Sequence, residues 1–304
     1  MKTKSMPIFG VRAVLLAAQM FLWTLLFVMN LSCSSQQMAV GDSTPPNFPA
    51  LQIPPRGPEA EGGEAFMARI ADLDLPNREA EIYKALSSGN MPTFLRQLVT
   101  LTANVPDTHG FNHHLVYQVM PDYLAVGSDT DYCRIPMNPH TAQHLATLFH
   151  ASLITAQISD QIFANASIRL APFYYAPVGR ENESVTKFIE HNAHIEMQKD
   201  SIGGQDGALI AGIKKDIILS NRMAGHPDKV VIYGWHKPDG LPIQPVYSGH
   251  ADWYVDYSHG IRLMNNYVLV DGKPAWLSDL LTDPVSYCLF SNEGSPMEDP
   301  AYKK

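Results

Sequence analysis

Between Gly249 and Asn265 the chain reads GHADWYVDYSHGIRLMN, concentrating two histidines, two aspartates, two tyrosines, a serine and an arginine in a protein that is only 17% charged. Imidazole, carboxylate and phenol groups donate, accept or titrate near neutral pH, so the mixture suits general acid–base chemistry. On a continuous strand over residues 249–258, period-two alternation puts His250, Asp252, Tyr254, Asp256 and Ser258 on one face. Ala251, Trp253, Val255 and Tyr257 then occupy the other. His250 and His259 are expected to serve as general acid and base, with Asp256 orienting or charge-stabilising one imidazole. Tyr254, Tyr257, Trp235 and Arg262 are expected to line the substrate groove, since aromatic rings suit sugar faces and a guanidinium suits carboxylates. A metal version of the same site uses His250, Asp252, Asp256 and His259 as ligands of a divalent ion, with water in the open position. His236 joins the candidates because it ends the apolar run KVVIYGWH, where a strand presents a side chain on a rigid support. The plain structural alternative is a polar strand whose Asp256 caps the SHG turn.

The segment Ser258–Asn265, SHGIRLMN, resembles the S-H-G-C-x-R loop of the L,D-transpeptidases that cross-link and trim bacterial cell-wall peptides. Ser258, His259, Gly260, Arg262 and a following Asn match. The nucleophilic cysteine is missing, because Gly260 runs straight into Ile261. Without a thiolate no acyl-enzyme of that type forms, so the resemblance implies a periplasmic setting and transfers no catalytic role. Other motifs fail outright. DYSHG differs by one residue from the G-x-S-x-G elbow, but no histidine follows His259 to complete a triad. GGQDGALIAGIKKD has Ile213 where a phosphate loop needs lysine. EHNAH sets Glu190, His191 and His194 on neighbouring helix positions, in an order that is not H-E-x-x-H.

These residues need a scaffold, and the chain divides into three parts. Lys2, Lys4 and Arg12 precede the apolar run Ala13–Met29, and the small and polar NLSCSS follows. This order predicts an export signal or an uncleaved membrane anchor over residues 1–33. NLSC resembles a bacterial lipoprotein processing site shifted by one position, which makes Cys33 the candidate lipidation site. Residues 34–62 are rich in proline and poor in large apolar side chains, and are expected to form a disordered tether. Residues 63–304 are expected to form a single α+β domain. Cys133 and Cys288 are left for one disulfide or two free thiols.

Within that domain a helical N-terminal half is expected to precede a mostly antiparallel or mixed sheet. Helices are predicted over REAEIYKALSSGN, MPTFLRQLVTLTANV, NPHTAQHLATLFHA, TAQISDQIFANA and ESVTKFIEHNAHIEMQ, with Asn138 and Pro139 as cap and first turn. The HHLVYQVMPDYLAVGSDTDYCRIPM stretch between them suggests a hairpin turning at GSDTD. Strands are predicted at KDIILS, KVVIYGWH, IQPVYS, DWYVDYS, IRLMN and YVLVDG, with Gly240 and Gly272 in the turns.

The net charge is −8, and the basic pairs are confined to Lys214-Lys215 and the terminal Lys303-Lys304. Nucleic acid is therefore excluded as a partner, since phosphate backbones require clustered Lys and Arg. The expected function is an exported or membrane-tethered hydrolase or lyase acting on an extracellular or cell-envelope polymer. It is expected in the periplasm or secreted, with membrane contact through the N-terminal segment. The alternative is a non-catalytic envelope lipoprotein that binds glycan or peptide. The pairing of His with Asp favours catalysis, because recognition needs it less than proton transfer does.

Overall fold

The computed structural model describes residues 48–303. The apolar run, Cys33 and the first part of the expected tether lie outside the described residues. Residues 48–62 differ from the disordered tether predicted for them. Leu51 and Ile53 pack against the core, and the Gln52 amide donates to the Phe149 carbonyl at 2.9 Å. The Arg56 guanidinium donates to the Ala60 and Glu61 carbonyls and to the Asn90 side chain. Prolines keep this stretch out of helix and sheet, but they also restrict the unfolded chain and so reduce the entropy lost on docking it.

The architecture is α+β, as expected. Among the described residues the helices are α1 Gly63–Ile70, α2 Leu75–Ser87, α3 Pro139–Leu148, α4 Ala156–Asn165, α5 Val185–Ser201 and α6 Leu277–Thr282. Asp74, Asn138, Thr155 and Ser184 cap α2 to α5 by accepting a backbone N–H, which satisfies donors that the first turn leaves orphaned. No helix among the described residues is long and apolar enough to cross a membrane.

The larger sheet contains β1 Val99–Pro106, β2 Asn112–Val119, β5 Ala151–Leu153, β12 Leu263–Asn265, β13 Tyr267–Val270 and β14 Lys273–Trp276. Its order is β14-β13-β2-β12-β5, with β1 also on β2. Strand β1 replaces most of the helix predicted after Pro92, of which only the single turn Thr93–Arg96 forms. Val99-Thr-Leu-Thr-Ala-Asn-Val alternates apolar and polar with period two, and it pairs antiparallel from Val99↔Val119 to Pro106↔Asn112. Cross-strand pairing outweighs any helical preference there. Two short pairs complete the front half, β3 Ala125–Gly127 with β4 Tyr132–Arg134 across the predicted GSDTD turn, and β6 Ile168–Arg169 with β7 Ile210–Ala211.

The smaller sheet positions the candidate residues. Its order is β10 Pro242–Tyr247, β9 Ile232–His236, β8 Lys215–Ile217 and β11 His259–Gly260. β9 and β10 meet across KPDG, where Gly240 takes φ of +87° as that turn requires. β11 runs parallel to β8, with His259 opposite Lys215. The strand predicted at DWYVDYS does not form: Ala251 bridges to Lys229 and the chain then turns through Asp252-Trp253 and again at Tyr257-Ser258.

Candidate acid–base site

A side-chain hydrogen bond stands where the strand was expected. One Asp256 oxygen accepts from the Ser258 amide at 2.8 Å and from its hydroxyl at 2.5 Å. Aspartate bonding to backbone two residues ahead competes with a β ladder and closes a turn instead. The turn delivers Ser258 and His259 to β8, where the Lys215 amide donates to the Ser258 carbonyl at 2.7 Å. Gly260 follows because nothing larger fits: a Cβ there would lie 2.5 Å from the Tyr123 ring and 2.7 Å from the Lys214 Cβ.

The result gathers four predicted residues by folding the loop over itself. The His250 and Tyr254 rings stack at 4.3 Å, and the Tyr254 hydroxyl donates to the second Asp256 oxygen at 3.0 Å. The His259 ring lies 6.4 Å from that of His250 and 5.8 Å from that of Tyr254. His250 and Tyr254 are half-buried, Asp256 is buried, and His259 is 0% exposed with neither ring nitrogen bonded.

Electrostatics decide which forms these groups take. Burial pushes the His259 imidazole down to about 4, with Asp256 opposing and Lys215 adding to the depression. Burial also lowers His250, again opposed by Asp256 and assisted by Lys215. For Asp256 burial acts to raise the carboxyl, but the fields of His259 and Lys215 and the two Ser258 bonds overcome it and hold the group well below the carboxylate range. Burial, followed by the Asp256 charge, raises Tyr254 and keeps its phenol protonated. At neutral pH the cluster therefore presents two imidazoles in their base form, an ionised carboxylate and a phenol that retains its proton. In that form each imidazole can accept a proton on its free ring nitrogen, while burial of His259 keeps it from solvent.

Other expected members lie elsewhere or act differently. Asp252 bonds His140 at 2.8 Å, away from Asp256. Among the described residues no three His, Cys, Asp or Glu side chains are grouped to hold a metal ion, so the four-ligand version of the site does not assemble. His191 on α5 is occupied with the Phe173 carbonyl at 3.1 Å and Glu190 with Lys187 at 2.7 Å. Arg262 does not line a groove: it is 1% exposed and donates to the carbonyls of Met120 at 2.8 Å and Ile210 at 2.6 Å. Tyr257 is likewise buried, its hydroxyl accepting from the Tyr175 amide at 2.8 Å. Trp235 is buried with its ring face toward the Lys215 ammonium, 4.9 Å away. His236 ends β9 as expected, but it opens on a different cleft of about 460 Å³, stacked on Phe163 and bonded to Asp160 at 2.8 Å. Cys133 and Cys288 are both free.

Sequence reasoning missed Lys215, read only as half of a basic pair, and Asp160 on α4. Neither carried a local signal, because the neighbours of Lys215 arrive through sheet pairing and those of Asp160 through packing of α4 on β9. Asp256 proves to be both a turn cap and a charge in the cluster. Asp256→Ala is therefore expected to cost about 1 to 3 kcal/mol or more, the price of stranding buried donors, rather than the near-zero cost of a surface change. Thermal unfolding of this variant should show a midpoint several degrees lower; an unchanged midpoint would mean that Ser258 and Tyr254 find other partners.

No protein-family model, curated protein or solved structure matches the chain.

Proposed function

We propose that the protein is an exported or membrane-tethered hydrolase or lyase acting on an envelope or extracellular polymer, with His250 as general base. The observation that carries this reading is a half-buried imidazole stacked on Tyr254, whose hydroxyl bonds the buried Asp256 carboxylate; burial and Lys215 lower the imidazole pKa and so favour its base form. A base in the correct form at working pH, within reach of solvent and backed by a fixed charge, can take a proton from water or from a carbon acid. The Tyr254 phenol, bonded to Asp256, is the group that retains a proton to return to a leaving oxygen. His259 is fully buried and cannot touch a polymer, so it acts as a positioning residue behind His250 and Tyr254. The N-terminal apolar run supports placing this chemistry outside the cytoplasm.

The test is incubation of the full chain with cell-wall peptidoglycan and a set of polysaccharides. Hydrolysis is read from new reducing ends or amines, and elimination from the ultraviolet absorbance of an unsaturated sugar. Activity is expected to persist after chelation with EDTA, and kcat/KM is expected to fall on acidification with an apparent pKa below the 6.5 of a free imidazole. Abolition by chelation, or an acid limb above that value, would reject His250 as a metal-free base.

A further inference from the structure

Lys215 is a cation with no ion-pair partner among the described residues. The lysine ion pairs among the described residues belong to Lys187, Lys199, Lys229 and Lys303, and Lys215 makes none. Asp256 feels its charge without bonding to it. The residue is half-buried, and the one described ring contact of its ammonium is with Trp235 at 4.9 Å. Partial withdrawal of a charge from water is costly unless a counter-charge meets it.

Exposed aromatic rings adjoin the groups that this cation neighbours. Tyr174, 69% exposed, makes a T-shaped contact with Trp235 at 6.3 Å. Tyr247, 41% exposed, makes a T-shaped contact with His250 at 5.1 Å, and His250 stacks on Tyr254. The electron-rich face of such a ring attracts the positively polarised C–H face of a pyranose. Exposed rings in one contact network with a single cation fit successive sugar rings, one of which carries a negative group, better than side chains of variable reach.

We infer that the ligand of this site is an acidic glycan, a sugar chain bearing carboxylates, seated with one carboxylate on Lys215 and its neighbouring rings against Tyr247 and Tyr174. The inference rests on the acid–base reading only for the location of the site, and it stands or falls by binding. A carboxylate at Lys215 lies beside the base His250 and shields the Lys215 charge that helps to depress it, so an acidic ligand adjusts the base it meets.

Calorimetric titration of the full chain tests this with oligogalacturonate, whose carboxylate is on the ring, and with glycan strands whose carboxylate is on a lactyl ether. A neutral oligosaccharide of equal length and an oligoglutamate serve as comparisons. Either acidic glycan is expected to bind more tightly than the neutral chain, with affinity falling as salt rises. Lys215→Met should weaken that binding about tenfold or more, a loss of about 1.4 kcal/mol, and Lys215→Arg should retain most of it. Equal affinity for the neutral chain, tighter binding of oligoglutamate, absence of binding by both acidic glycans, or unchanged affinity in Lys215→Met would each overturn the inference. Turnover of a neutral polymer with any of those results leaves the acid–base reading standing. Tight binding of an acidic glycan without turnover does the reverse.

Discussion

His250→Gln should lower turnover by about 10²- to 10⁴-fold, the range supplied by one positioned acid or base, while leaving the protein folded. The imidazole is half-buried and makes ring contacts only, a stack with Tyr254 at 4.3 Å and an edge contact with Tyr247 at 5.1 Å. Such aromatic pairs are worth about 0.5 to 1.5 kcal/mol beyond area burial, so the midpoint of thermal unfolding should drop by only about 2 to 4 °C per kcal/mol for a body of this size. Glutamine keeps hydrogen-bonding capacity and approximate length, but it cannot accept a proton near neutral pH. Initial rates and thermal unfolding measured on the same preparation separate the two effects. A variant within about threefold of the parent rate would remove His250 from the chemistry, since the least that a general base supplies is far larger.

Asp122→Ala should cost about 3 to 5 kcal/mol of stability, the penalty for leaving a buried charge uncompensated. Asp122 is 5% exposed and Arg134 is 1% exposed. The guanidinium forks onto the carboxylate, Nε at 2.9 Å and Nη2 at 2.6 Å, the bidentate geometry that makes such pairs strong. Burial acts to raise the Asp122 carboxyl, but Arg134 and then Arg262 overcome it and hold the group below its usual range. Alanine would leave Arg134 with Glu196 at 2.6 Å and Asn192 at 3.0 Å, one of which is partly open to solvent. Urea unfolding should show a lower midpoint with an unchanged slope. A loss below about 1 kcal/mol would show that Glu196 alone suffices to compensate the arginine.

Capping and turn chemistry were legible because they are local. Asn138 followed by Pro139 starts α3 as its letters require, and the Thr141 amide meets the Asn138 oxygen at 2.8 Å. GSDTD joins β3 to β4 for the same reason. Only part of the expected cluster was legible, and the way it is assembled was not. His250, Tyr254, Asp256 and His259 do gather, but an aspartate bonding to Ser258 assembles them rather than strand alternation. Arg262 illustrates what letters cannot hold: a guanidinium is equally able to meet a substrate carboxylate or two backbone carbonyls, and only its burial decides. Lys215 needed a parallel pairing with His259 that no adjacent residue announces. Strand β1 was misjudged because its alternation follows a proline that also suits a helix start.

The sealed imidazole of His259 also makes the fold reluctant to accept acid. Its side chain binds a proton near 4 when folded and near 6.5 when free, so opening the chain between those values takes up a proton. The stability contributed by keeping it neutral is fully present above pH 6.5 and drains away as pH falls toward 4, by roughly 3 kcal/mol in all. His191, which burial pushes down to about 2, extends the same trend to lower pH. Acid is therefore a denaturant for this fold, acting through two buried rings.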